Sequence, residues 1–405
     1  MVIPQRLIYA YPWDLKEEGI ETALATIADL GLTAVSVAVS YHSGKFLSPR
    51  HPHRRVIFPE GGVIYFHPSE ARFRDLPIRP VVSELVRDED VLAEIMRACS
   101  RYGLRFIGWV VGTHNSRLGM RHPEFLCRNA YGDPYVYALC PSHEAVRAFL
   151  LVLVEDVLEQ YPLDGLEVES FGYLGFLHGY HHEFYSVSLG IFEQALLALC
   201  FCSACEQMGK EAGLDVKHLR ESVRQTLDRR LNGSVERGLT TAADDVAALL
   251  DFLLAHVELQ TYLKRRNERV TSLLVELAAL TRRKGVELSC SGPVFARPTA
   301  LGWVEGLDLR AVGTIVDRFV VALYFEEEER RMAEAAFIAD LQLPCALGAA
   351  LNLGHPYTRA VEEVERTIRY VANLGFTSVG FYNYGTLPIY RLQWIQRALT
   401  SLEGR

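Results

Sequence analysis

The sequence predicts a (β/α)8 TIM barrel, a fold of the α/β class. Short apolar runs of strand type alternate with longer stretches of helical periodicity from end to end. Eight such runs occur, and the connections between them are long enough for helical crossovers, which implies parallel pairing. With 405 residues, 49% of them hydrophobic, the chain can build a barrel core and carry insertions.

The elements follow in order. Leu7 to Tyr11 reads as the first strand, and Glu18 to Leu30 as a helix stopped by Gly31. Ala34 to Val39 is the second strand. A helix over Asp90 to Tyr102 precedes the third strand, Arg105 to Val111, and a helix over His143 to Tyr161 precedes the fourth, Gly165 to Glu169. Strands five to eight are Val286 to Cys290, Phe319 to Tyr324, Cys345 to Leu351 and Ser378 to Tyr382. Helices over Glu326 to Ile338, Thr358 to Leu374 and Pro388 to Leu402 separate and close them. Residues 1–405 are thus expected to form one barrel domain. Two stretches break the rhythm: Tyr41 to Asp88, rich in Pro, Arg and aromatics, and Phe171 to Lys284, mostly helical. Both follow a strand's C-terminal end, the catalytic face of such barrels, so both are expected to wall a pocket. The helices after Thr241 are expected either to pack around the barrel or to form an oligomer contact.

Net charge is -8, and no basic stripe or aromatic-interleaved Lys/Arg run occurs, which excludes nucleic acid as the expected partner. No apolar stretch has the length of a membrane span, and the N-terminus shows no signal-peptide pattern. Eight cysteines in a chain of this size do not resemble a disulfide scaffold; a reduced, cytoplasmic setting is expected.

Three of those cysteines stand together as Cys200-Phe201-Cys202-Ser203-Ala204-Cys205. A Cys-x-Cys-x-x-Cys loop supplies three thiolates to a tetrahedral zinc, and a distant cysteine supplies the fourth. Cys140, in Leu139-Cys140-Pro141-Ser142, is the candidate, with Cys127 as its rival. Four sulfurs leave no open position, so this zinc is expected to be structural. Cys99, Cys290 and Cys345 lie in helix or strand patterns and read as buried residues.

The segment Leu139 to Arg147 together with Cys200 to Cys205 resembles the zinc-site β-galactosidases of glycoside hydrolase family forty-two, and the looser set of hypothetical glycosyl hydrolase-like barrels. The resemblance runs from Arg121 to Leu214. It implies a (β/α)8 barrel, zinc held by Cys140, Cys200, Cys202 and Cys205, and a homo-oligomer, trimer or dimer. Two departures stand out. The family carries Asn-Glu at the end of strand four, where this chain reads Glu167-Val168-Glu169-Ser170, and a nucleophilic Glu at the end of strand seven, where this chain reads Ala350-Leu351-Asn352. β-Galactosidase activity therefore does not carry over, whereas a carbohydrate-active barrel does.

Glu167 and Glu169 are two apart on one strand and point to the same side. If that side is the lumen, burial raises their pKa, as a general acid requires. Glu326, after strand six, is the candidate second carboxylate of a glycosidase pair with Glu169. Substrate contacts are expected from Trp13, His42, His114, Asn115, His178, His181, His182, Tyr324, Tyr382 and Asn383, all placed after or at strand ends; Glu183 beside the histidines also allows a second metal. The leading expectation is a glycoside hydrolase acting on a small-molecule or oligosaccharide substrate. The alternatives are a sugar isomerase, epimerase or lyase moving protons with His and Glu, and a barrel that binds carbohydrate without turnover. No P-loop, dinucleotide fingerprint or serine-hydrolase elbow occurs.

Overall fold

Eight parallel strands close on themselves: β1 (Gln5–Ala10), β2 (Ala34–Tyr41), β3 (Arg105–Val111), β4 (Gly165–Glu169), β5 (Glu287–Ser291), β6 (Arg318–Ala322), β7 (Ala346–Asn352) and β8 (Ser378–Tyr382). Each pairs with its sequence neighbour, and β8 returns to β1 with Leu7 opposite Gly380. This is the TIM barrel the sequence predicts. The computed structural model describes residues 3–180, 183–184, 186–232, 241–293 and 297–403.

Burial explains the strand composition. β2 is buried along its whole length, and only the end residues of β4 and β8 reach partial exposure, because helices cover the outside and side chains fill the lumen. The lumen is sealed at the strands' N-terminal end by a polar plug. The Arg318 guanidinium donates to Gln5 at 2.6 Å and pairs with Glu287, and Arg105 reaches both Gln5 and Glu287. Each charge there has a partner, as burial demands.

Three elements differ from expectation. The first helix is two helices, Pro12–Glu18 and Ile20–Asp29, because Gly19 between them sits at φ +95, a conformation that interrupts the helical hydrogen-bond ladder. Between β3 and β4 the chain adds a helix, Ser116–Arg121, and an antiparallel hairpin, Leu126–Arg128 with Pro134–Leu139. Asn129 makes the hairpin turn by accepting from the N–H groups of Tyr131 and Asp133. Finally, the stretch expected to be insertion up to Lys284 ends in the barrel's own outer helix. Val257–Lys284 packs against Glu144–Gln160, where Arg147 donates to the Arg269 carbonyl at 2.8 Å and pairs with Glu276.

The insertion after β4 carries helices Ile191–Leu197, Ser203–Glu211, Val216–Leu231 and Ala242–Ala255. The one after β2 folds as a small hairpin, Phe46–Leu47 with Val56–Ile57, then adds Val63–Ile64 antiparallel to the end of β2. No single helix among the described residues is long and apolar enough to cross a membrane.

Candidate active site

The two-residue repeat of β4 sends Leu166 and Val168 outward and both glutamates into the lumen. Glu167 lies deeper and is fully buried. One oxygen accepts from the Tyr9 hydroxyl at 2.8 Å and from Ser291 at 2.6 Å. Burial pushes its carboxyl up; those two hydrogen bonds and the Arg318 charge pull it back. Glu169 stands at the mouth and accepts from the Trp109 indole N–H at 2.9 Å. Desolvation, then the neighbouring Glu167 charge, push it to about 7, against the pull of the Trp109 bond. A carboxyl poised near neutrality can hold a proton and give it up. Replacing Trp109 with Phe removes a bond that favours the ionised form. We expect the alkaline limb of the pH–rate profile to move up by up to ~1 pH unit; an unmoved or lowered limb would refute the assignment of that limb to Glu169.

The chain turns sharply after Glu169. Ser170 sits at φ +57, a left-handed conformation that costs a non-glycine residue of the order of 1 kcal/mol. It is held there by Thr113 at the end of β3. The Thr113 N–H and hydroxyl both donate to the Ser170 carbonyl (2.6 and 2.7 Å), and the hydroxyl also lies 2.8 Å from the Gly172 carbonyl.

Aromatic rings line the rest of the mouth. The hydroxyls of Tyr11, Tyr41 and Tyr382 meet at 2.5 to 3.2 Å. Trp13 stacks on Tyr11 with ring centroids 4.3 Å apart, and Trp109 stands edge-on to Tyr41 and Tyr382. Tyr324 lies 5.9 Å from Tyr382 and carries the Arg297 guanidinium 5.3 Å above its ring. Flat faces rimmed by hydroxyls suit a sugar ring.

His42, His114 and His178 come together from three separate connections. His42 and His114 stack at 3.9 Å, and the His178 Nε2 is 2.7 Å from a His114 ring nitrogen. Burial holds all three neutral, with His42 lowered to about 4, His178 to about 3 and His114 well below its ordinary value. Unfolded imidazoles take protons near pH 6.5 and these do not. Stability is therefore full above pH 6.5 and falls as pH drops towards 4. We expect a loss of the order of 3 kcal/mol for each imidazole over that range, read from denaturant titrations, and a shallower slope for His178→Asn. A slope unchanged in the variant would refute it.

Other expected residues are placed differently. Asn115 caps the helix Ser116–Arg121, its Oδ1 accepting from the Leu118 N–H at 2.9 Å, which is a structural duty. Asn383 spends its Oδ1 on Thr386 in the turn after β8. Glu183 accepts from the Tyr180 N–H, and among the described residues it joins no metal-ligating cluster with His178. His181 and His182 lie outside the described residues. Glu326 is exposed just before the helix Glu328–Asp340, and its carbonyl, not its carboxylate, accepts from Arg331. An acid run at a helix start belongs to solvent and to the helix dipole.

Besides Glu167, the acid whose charge acts on Glu169 is Glu305, buried at the end of the turn of helix Thr299–Glu305 between β5 and β6. Its signal in the sequence is thin: the β5–β6 connection holds three acids, Glu305, Asp308 and Asp317, of which Asp308 caps a helix and Asp317 accepts from the Leu288 N–H.

Cys140 follows the hairpin, and Cys200, Cys202 and Cys205 precede and open the helix Ser203–Glu211. Their sulfurs lie within 4.8 Å of one another, with Cys140 at 3.8, 3.6 and 3.5 Å from the other three. Zinc–sulfur bonds of about 2.3 Å in a tetrahedron put sulfurs about 3.8 Å apart, so the four fit a metal ion. The Arg128 N–H donates to Cys200 Sγ at 3.3 Å, an outer contact of the kind that orients thiolates. Cys127 touches the cluster but is not one of the four. The cluster also reaches the mouth: Cys205 contacts Ser142 at 3.3 Å, Ser142 bonds the Tyr173 hydroxyl at 2.7 Å, and the Tyr173 N–H donates to the Glu305 carbonyl at 2.8 Å.

No protein-family model and no curated protein matches the sequence. Solved structures do. A β-galactosidase from Halorubrum lacusprofundi superposes with TM-score 0.59 at 13% identity, over 99% of this chain and 58% of that one. A β-galactosidase from Marinomonas ef1 gives 0.57 at 12%, over 98% and 59%. The PgaB (BpsB) glycoside hydrolase domain from Bordetella bronchiseptica gives 0.53 at 12%, over 93% of each chain. The fold is that of glycoside hydrolase barrels. The chain spans under two thirds of the two β-galactosidases, and at these identities the likeness concerns the fold alone.

Proposed function

We propose that this chain is a glycoside hydrolase whose general acid is Glu169, with a structural zinc held by Cys140, Cys200, Cys202 and Cys205. The observation that carries the reading is the β4 pair: a buried Glu167 fixed by Tyr9 and Ser291, and above it a carboxyl near pKa 7, bonded by Trp109, among the aromatic rings at the strand ends. Glu169 gives its proton to the glycosidic oxygen as the bond to the anomeric carbon breaks. Glu167 stays in place and raises the Glu169 pKa through its charge. The partly exposed Tyr324 and Tyr382 meet the sugar, the buried Tyr11, Tyr41 and Trp109 hold them in place, and the neutral imidazoles of His42, His114 and His178 wall one side. Zinc supplies cross-linking and no reaction step, since four thiolates close its shell.

The test is a panel of aryl glycosides and oligosaccharides, read as phenol or reducing-sugar release by the parent and by Glu169→Gln. Release by the parent and none by the variant supports the reading. Conversion of a free sugar to an isomer without hydrolysis would replace it with proton-transfer chemistry at a carbonyl. Binding without any turnover would make the barrel a carbohydrate-binding protein.

A further inference from the structure

We infer that Glu305, from the β5–β6 connection, is the second catalytic carboxylate, the base that activates water opposite Glu169. This rests on the glycosidase reading above and assigns a residue which that reading leaves open.

Three placements carry it. Glu305 is docked on the segment that leaves Glu169: the Tyr173 N–H donates to its carbonyl, and Gly172 lies so close that a Cβ there would stand 2.1 Å from the same oxygen. Only glycine fits that approach. Gly172 is three residues past Glu169, so chain reach holds Gly172 within about 10 Å of Glu169, with Glu305 in backbone contact just beyond it. Inverting pairs hold their carboxyl groups roughly 6.5–9.5 Å apart, a separation that side chains rooted at that reach can adopt.

The second placement is rigidity. The fully buried Arg266 donates from one nitrogen to the carbonyls of Ala198 and Val304, both at 3.1 Å, and its guanidinium lies 4.2 Å over the Tyr173 ring. The residue before Glu305 is thereby tied to the β4 insertion, so Glu305 does not depend on a loose loop for its position.

The third is company. Glu305 lines a cavity beside the mouth with His178, Gln194 and Arg297, whose remaining wall is apolar. Arg297 also donates to the Tyr324 carbonyl at 2.5 Å and lies over that ring. The Glu305 charge acts on the Arg297 guanidinium and also helps keep the proton on Glu169.

In the step, the Glu169 proton goes to the leaving oxygen as the C1–O bond breaks. Water oxygen bonds to C1 from the opposite face and gives its proton to Glu305. The product has inverted configuration, and solvent resets both carboxyls.

The experiment uses the full chain and the best glycoside from the panel. Glu305→Gln and Glu305→Ala are expected to lower kcat at least 100-fold, with the melting temperature of Glu305→Gln within a few degrees of the parent. Azide is expected to restore turnover in Glu305→Ala and yield the glycosyl azide of inverted configuration. NMR of the first product from the parent is expected to show inversion. A retained product overturns the base role. So does a Glu305→Gln variant with more than a tenth of parental kcat, or a Glu305→Ala variant that azide leaves inactive. If Glu169→Gln abolishes turnover while the Glu305 variants keep it, this inference alone fails; if the parent cleaves no glycoside, the underlying reading fails.

Discussion

Glu169→Gln is expected to cut kcat for glycosides with poor leaving groups by 10²–10⁴-fold, the usual worth of a positioned general acid. Glycosides that leave without protonation should lose far less, and the alkaline limb near pH 7 should vanish from what activity remains. The same variant is expected to gain stability. The carboxyl takes its proton at about 7 when folded and near 4.5 when unfolded. The native state therefore binds the extra proton between those values, and stability falls as pH rises from 4.5 through 7. Above pH 7 the parent bears the full penalty of an ionised, poorly solvated carboxylate and the amide bears none. A gain of the order of 2 kcal/mol at pH 8, vanishing near pH 4, is expected from denaturant titrations of both proteins. Because the parent serves as reference, the opposite pH trend of the buried histidines cancels. A variant that is inactive and less stable at pH 8 would show that Glu169 serves packing.

The second large effect concerns the thiols. Cys140→Ser or Cys205→Ser is expected to abolish binding of the roughly one zinc per chain that elemental analysis of the parent should find, and to cost several kcal/mol of stability. Prolonged chelation should act likewise and be reversed by zinc. Cys127→Ser should keep its zinc, because Cys127 touches the tetrad without belonging to it. Activity should fall with the metal, since Ser142 and Tyr173 link the tetrad to the Glu305 backbone. Metal-free parent protein with full stability and turnover would end the assignment, and loss of zinc on Cys127→Ser would redraw the ligand set.

Much of this was legible in the sequence because it is governed by local period. Alternation on β4 fixes Glu167 and Glu169 to one side, and Cys-x-Cys-x-x-Cys brings three sulfurs together with no help from distant chain. Of the two candidates for a fourth sulfur, Cys140 is the one grouped with the other three, although the hairpin that delivers it was not foreseen; its turn rests on one asparagine side chain. The histidine cluster was anticipated in kind. His42, His114 and His178 were all among the expected residues, whereas the stacking of His42 on His114 joins connections more than 70 residues apart and leaves no trace in either. Glu326 misled because an acid run after a strand looks like a pocket rim, when the helix two residues later turns it to solvent. Glu305 carried no periodic signal. Its place is decided by Tyr173 and Arg266, whose contacts only the closed ring creates.

The ring has one more implication. The cluster around Glu169 is assembled from the ends of β1, β2, β3, β4 and β8, so no fragment of the chain owns it. A saccharide lodged there would clamp staves from both ends of the polypeptide and raise the temperature at which the whole molecule melts, by mass action. Heating the protein alongside a library of sugars is thus a route to its natural ligand that asks for no catalysis at all.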